Sequence, residues 1–467
     1  MNTSALQEFL VKFWDKEIVP TLTEYIKIPA KSPAFDPDWE SAGHLDKVLK
    51  LALKWVEKHK PEGSIVYSEK VPGRTPLIMV EIPGDMDGSV LMYGHLDKQP
   101  EMEGWREDIG PWKPLLEGEK LYGRGGADDG YALFASIGII NALKAQGIKL
   151  PRIIMVIEFC EESGSEDLPF YVDKYSERIG EIDLVICLDS GAGNYEQFWN
   201  TASLRGMVSG SLRVDVLNQG VHSGNASGLV PSSFRVVRML LDRIEDVNTG
   251  RLKLDDLHVE IPKEKYEEAE SMVNALGGKD EPFPYSGTMK PSTDDPVEGV
   301  LRRTWRPALS ITGMDGVPAV KDGGNVLRPY TTLKFSLRIP PGLDAAKARE
   351  AVRKAFTEDP PYDAVVTAKF DDVATGWMAP VLKPWLKDAI NEASDIFYGK
   401  PAIAMGEGGS IPFMSMLGKK YPQAQFIVTG VLGPESNAHG PNEFIHIGYA
   451  KKLSACIAFV LSKYQKN

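Results

Sequence analysis

The chain has 467 residues, more than one hydrophobic core usually organises, so two domains are expected, each large enough to bury a substantial core. It carries 53 Lys+Arg against 65 Asp+Glu, a formal net charge of −12, which disfavours nucleic-acid backbones and anionic membrane surfaces and favours cationic partners such as metal ions. Cys160, Cys187 and Cys456 are far apart, the first two in apolar strand-like runs, so buried thiols rather than disulfides are expected.

Residues 1–19 mix charges with apolar residues at helical spacing instead of the uninterrupted apolar centre of a secretion signal. No later run approaches the ~18 uncharged apolar residues of a membrane span, and a cytoplasmic protein is expected. Helices are expected over 5–18, 39–60 and 129–147, and strands over 76–82, 89–94, 152–159 and 183–188. This alternation predicts a sheet covered by helices on both faces. From 206 to 380 the rhythm becomes strand 207–217, helix 232–247, strands 307–313 and 331–339, helix 345–356 and strand 364–370. That order is the split β-α-β-β-α-β of a ferredoxin-like domain. Within it, 247–304 is polar and rich in Lys, Glu, Pro and Gly, as a long surface insertion would be. A helix at 384–397, a strand at 425–432 and a helix near 447–464 resume the first pattern. The expected fold class is thus α/β, with a discontinuous domain of 1–205 and 381–467 interrupted by an inserted α+β domain of 206–380.

In such sheets the chemistry gathers at the C-terminal ends of the strands. The first domain places His95-Leu96-Asp97, Glu161-Glu162 and Asp189 directly after three of its strands. Asp128-Asp129 precedes a helix, and His439 follows the strand near 425–432. Each alone has an ordinary reading: a structural histidine, an aspartate cap, a solvated turn. Converging on one edge, two imidazoles and four or five carboxylates are costly unless cations compensate. Zinc accepts mixed His and carboxylate ligation, and paired metals about 3.5–4 Å apart are common in hydrolases, so the cluster reads as a dinuclear metal site.

GHLDKQP, GRGGADDG, EESGS, LDSG, HSG, FSLRIP, EGGSIP and NAHGPNE occur in this order over nearly the whole length. In them the chain resembles the dinuclear-zinc peptidase superfamily of carnosinases, cytosolic non-specific dipeptidase, aminoacylase, succinyl-diaminopimelate desuccinylase and glutamate carboxypeptidase, and most of all its carnosinase-type dipeptidases. The resemblance implies a zinc-peptidase-like catalytic domain with an inserted lid and dimerisation domain. It implies two divalent ions per subunit, zinc first and Mn²⁺ or Co²⁺ as alternatives, one held by His95, Asp128 and Asp189, the other by Asp128, Glu162 and His439. It implies that Asp97 orients His95, that the Asp128-Asp129 peptide is cis, and that Glu161 is the general base. His222 would stabilise the oxyanion across a homodimer, with Asn325 also acting in trans. Arg338 would pair with the substrate carboxylate beside Gly409 and Ser410.

Two departures stand out. The family's DDKG is here Asp128-Asp129-Gly130-Tyr131, without the lysine. Its REGGS is here Gly406-Glu407-Gly408-Gly409-Ser410, without the arginine. Asp189, where the family's carboxypeptidases and deacylases tend to have Glu, favours a substrate with a free amino group. The resemblance therefore implies hydrolysis of a dipeptide or short peptide. The alternatives are an N-acyl or N-succinyl amino acid deacylase using the same site, and a non-catalytic peptide- or metal-binding homologue.

Overall fold

The computed structural model describes residues 1–278, 283, 285–371 and 373–466. These divide into two compact units, one of Met1–Ala202, Ala379–Met405 and Met416–Asn467, the other of Ser203–Met378 and Gly406–Ser415. The part of the expected insertion at 279–282 and 284 lies outside the described residues.

The first unit is built on a six-stranded sheet in the order Ile65–Glu69, Leu77–Ile82, Arg152–Glu158, Ser89–His95, Leu184–Cys187, Gln425–Val428. The last four run parallel, and the first two are antiparallel additions at one edge. Burial on both faces explains why the parallel strands read as unbroken apolar runs: every residue of Ser89–His95 and of Leu184–Cys187 is buried. Helix Ala132–Ala145 packs on strand Ser89–His95 and against helices Thr3–Phe13 and Ile447–Ser462, the latter also touching Pro384–Tyr398. Gly94 permits this packing, since a Cβ there would stand 2.6 Å from the Ala132 methyl and 2.8 Å from Asp129 Oδ2.

Several boundaries differ from expectation. The helix expected over 39–60 is broken at Gly43, whose φ of +64° ends Trp39–Ala42 before His44–His59 begins. The helix expected from 129 starts at Ala132, because Gly126–Gly130 forms a tight turn of its own. The last strand stops at Val428 rather than 432, where Gly430 comes so close to the Ser190 backbone that a Cβ would stand 2.0 Å from its carbonyl oxygen.

In the second unit the four-stranded sheet has the order Ala308–Asp315, Tyr330–Ile339, Gly206–Asp215, Val365–Phe370, all antiparallel. Helices Ser233–Ile244 and Ala345–Thr357 cover one face, as a ferredoxin-like arrangement requires. Alternation is clear in Tyr330–Ile339, where Thr331, Leu333, Phe335, Leu337 and Ile339 are buried and lean toward Val236, Leu240, Val352 and Phe356. The polar insertion holds two helices, Lys263–Ala275 and Pro296–Thr304, packed against each other.

Candidate metal centre

The parallel strands of the first unit bring the expected ligands to one end of the sheet. His95 closes strand Ser89–His95, and Asp189 lies two residues beyond Leu184–Cys187. Glu161 and Glu162 form the short turn Glu161–Ser163 after Arg152–Glu158. Asp128 sits in the Gly126–Gly130 turn, and its peptide bond to Asp129 is cis. His439 lies on the loop after Gln425–Val428 and adopts a φ of +64°.

Two ligand groups result. His95, Asp128 and Asp189 each offer one donor atom, and these atoms lie within 4.8 Å of one another; Asp128, Glu162 and His439 form a second such group. Asp128 belongs to both: His95 Nε2 lies 3.4 Å from its Oδ1, and His439 Nε2 lies 3.0 Å from its Oδ2. His439 Nε2 is also 3.4 Å from Glu162 Oε2.

The donor set suits divalent cations. His95 Nε2 is buried and makes no hydrogen bond to the described residues, yet it points at the carboxylates of Asp128 and Asp189. Two imidazole nitrogens and three carboxylates, with one carboxylate common to both groups, is a chemistry that two zinc-like ions satisfy.

Electrostatics set the remaining carboxylates apart. Burial would raise the Asp128 carboxyl, but the His439 and His95 rings outweigh it and hold the group well below the usual carboxylate range. Burial disfavours protonation of His95, and Asp128 and Asp97 overcome it and push the ring well above its ordinary value. Glu161, absent from both groups, is pushed up to about 8, chiefly by burial, with Asp128 and Glu158 adding to it and His95 opposing. Asp129 is buried, and neither of its oxygens has a hydrogen-bond partner among the described residues.

Asp97 holds more than a histidine. His95 Nδ1 lies 3.2 Å from the Asp97 carbonyl oxygen and 3.4 Å from its Oδ1. Its two carboxylate oxygens accept the backbone N–H groups of Glu161 and Glu162, each at 3.1 Å. One buried side chain thus fixes the turn on which both glutamates stand, a role no spacing in the sequence discloses. Three further contacts escaped the sequence reading. Gln99 Nε2 donates to Glu162 Oε2 at 2.6 Å. Tyr131, the residue after Gly130, is buried and donates its hydroxyl to the carbonyl of Leu188, the residue before Asp189. Lys98 is buried against Gly125, where a Cβ would stand 2.7 Å from its Cγ, and donates to the carbonyls of Tyr25 and Ile28.

The other candidate residues lie in the second unit. Arg338 Nη1 donates to Ser410 Oγ at 3.0 Å, and that hydroxyl donates to the Arg205 carbonyl at 2.6 Å. Arg205 is buried and donates to the Gly408 carbonyl at 3.2 Å; burial, then Arg338 and Arg303, pull its guanidinium down to about 10. Neither Arg205 nor Arg338 pairs with a carboxylate among the described residues, an arrangement suited to an anionic group. Arg205 is a further residue the sequence reading missed. Gly409 is exposed within the same loop. His222 and Asn325 are exposed at the ends of a two-stranded ribbon in which Val221–His222 pairs with Val326–Leu327, and Ser223 N–H donates to the Asn325 carbonyl at 3.0 Å.

Among curated proteins, the cysteinylglycine-S-conjugate dipeptidase of Corynebacterium striatum is 26% identical over 415 residues, covering 86% of this chain and 88% of that protein. The Beta-Ala-His dipeptidase of Homo sapiens is 25% identical over 469 residues, covering 96% of this chain and 90% of that protein. Among solved structures, the dipeptidase Dug1p of Saccharomyces cerevisiae superposes with a TM-score of 0.77 at 21% identity, covering 99% of this chain and 98% of that one. Human carnosine dipeptidase 1 gives 0.76 at 22%, with the same coverage. The profile of Peptidase family M20/M25/M40 matches residues 91–463, a span that takes in both ligand groups, and the chain belongs to that family.

Proposed function

We propose that the chain is a two-metal dipeptidase that cleaves the peptide bond of free dipeptides. The observation that carries this reading is the pair of ligand groups sharing Asp128, with Glu161 beside them and outside both. His95, Asp128 and Asp189 would hold one ion, and Asp128, Glu162 and His439 the other. When bound, such ions supply Lewis acidity, polarising the scissile carbonyl and lowering the pKa of a water. Glu161 takes the proton of the attacking water and returns it to the leaving amine. Asp97 keeps His95 in one tautomer and holds the Glu161–Glu162 turn in register. Zinc is the working metal of this reading, with Mn²⁺ and Co²⁺ as alternatives.

Arg338, seated on Ser410 beside Gly409, receives the substrate carboxylate, and Asp189 selects a free amino group. The relatives' names support the class, since both describe dipeptidases. His222 and Asn325 reach a site across a homodimer, where His222 stabilises the oxyanion. An open edge strand in the second unit supports dimerisation: among the described residues Ala308–Asp315 pairs on one side only, and it exposes Ile311 and Met314. By sequence continuity the catalytic domain is taken as 1–205 and 381–467 and the lid as 206–380, whereas the compact units put 203–205 and 406–415 with the second and 379–380 with the first. Cys160, Cys187 and Cys456 are buried free thiols, in keeping with a cytoplasmic setting, and among the described residues no helix is long and apolar enough to cross a membrane.

A panel of free dipeptides and N-acetyl amino acids, assayed with added Zn²⁺, Mn²⁺ or Co²⁺, tests the proposal. Metal-dependent release of free amino acids from dipeptides is expected, with N-acetyl substrates turned over at least about tenfold less efficiently, a difference of about 1.4 kcal/mol. Preference for N-acetyl substrates would make the chain a deacylase. No turnover of any amide would leave a binding protein.

A further inference from the structure

The two ligand groups are built to different standards. His95 and Asp189 of the first group are buried and follow directly from sheet strands. In the second group His439 has a side chain 55% exposed and stands on a loop with several residues in left-handed backbone, Glu435, Asn437, His439 and Asn442 all having positive φ. Such a loop keeps one shape only where its surroundings impose it.

Besides bonds within the loop, such as Gly440 N–H to the Asn437 carbonyl, it is held by an ion pair that the proposed chemistry does not use. Arg124 and Glu443 are completely enclosed, their side chains 1% and 0% exposed, with Arg124 Nη1 donating to Glu443 Oε2 at 2.5 Å. The remaining bonds of the pair reach three segments. Arg124 Nη2 donates to the carbonyl of Gly440, the residue after His439, at 2.8 Å. Arg124 Nε donates to the Pro100 carbonyl at 3.1 Å, on the segment that follows His95 and Asp97. Gly125 N–H donates to Glu443 Oε1 at 2.8 Å and Gly123 N–H to the Glu443 carbonyl at 2.9 Å, both on the turn leading to Asp128. Burying two charges is a poor way to gain stability, and registry is the better-attested use of such pairs. Here the planar fork of Arg124 registers the His439 loop against the segments carrying His95 and Asp128.

We propose that Arg124 and Glu443 are positioning residues that set the affinity of the second metal position, formed by Asp128, Glu162 and His439, and leave the first, formed by His95, Asp128 and Asp189, nearly unchanged. The proposal rests on the two-metal reading above. Outer partners of metal ligands typically govern affinity by about 10–100-fold, and here that effect falls on one of two positions.

The test is zinc binding by the full chain, measured by competition with a chromophoric chelator and by metal content after dialysis against it. The proteins compared are wild type, Arg124→Met, Arg124→Lys, Glu443→Gln and, as the reference for a lost second position, His439→Ala. Wild type is expected to bind two equivalents. Arg124→Met and Glu443→Gln should weaken one equivalent by about 10–100-fold and leave the other within about threefold, following His439→Ala. Arg124→Lys, which keeps the charge without the fork, should fall between. Where Arg124→Met fails to fold by circular dichroism, Glu443→Gln carries the comparison, since it keeps the volume and an acceptor for Gly125. Two unchanged equivalents, or equal weakening of both in a folded variant, overturn the proposal alone. Fewer than two equivalents in wild type overturn the two-metal reading and this proposal with it.

Discussion

Replacing Glu161 by Gln is expected to lower kcat by about 10²–10⁴-fold while metal content stays at the wild-type level, the range that a positioned general base contributes. The two effects separate because Glu161 belongs to neither ligand group although its neighbour Glu162 does. The substitution keeps the volume of the side chain, and it keeps the backbone N–H that Asp97 Oδ1 accepts, so the turn under Glu162 is undisturbed. It removes only the group that accepts and returns the proton. Steady-state kinetics and elemental analysis on one preparation check both halves. Activity within tenfold of wild type would remove Glu161 from the mechanism, and loss of metal would make it a ligand instead.

Asp128→Ala has the wider effect, because this side chain is the member common to both groups. Its removal leaves His95 and Asp189 on one side and Glu162 and His439 on the other, two donors where three stood. Metal content is expected to fall below one equivalent. Lewis-acid stabilisation of several kcal/mol then disappears, which at 1.36 kcal/mol per tenfold lowers kcat/KM by at least about 10³-fold. His439→Ala provides the contrast, since it touches only one group. Two equivalents bound to folded Asp128→Ala would show that Asp128 is not shared.

The sheet and the candidate ligand groups were legible because the strands that matter are buried on both faces. Continuous apolar runs such as 152–159 announce themselves, and a His or carboxylate placed directly after one stands out. Local chemistry hid the rest. Strand Ile65–Glu69 lies at the sheet edge, with no fully buried residue to mark it. Helices Lys263–Ala275 and Pro296–Thr304 sit in a segment whose polar composition suggests a surface insertion without marking its helices, and they pack against each other. Arg124 and Glu443 were invisible for a different reason. In sequence a buried charge looks like a surface one, and these partners are 319 positions apart. Asp97 is expected from the resemblance to support His95, but its grip on the two glutamate amides depends on a turn whose shape the sequence does not show.

Anomalous diffraction at the zinc edge, from crystals grown with Zn²⁺, would locate the ions against the two ligand groups. Two peaks about 3.5–4 Å apart are expected. One should lie within ligating distance of His95, Asp128 and Asp189, the other of Asp128, Glu162 and His439. A single peak at full occupancy, or two peaks that do not share the Asp128 carboxylate, would contradict the two-metal reading.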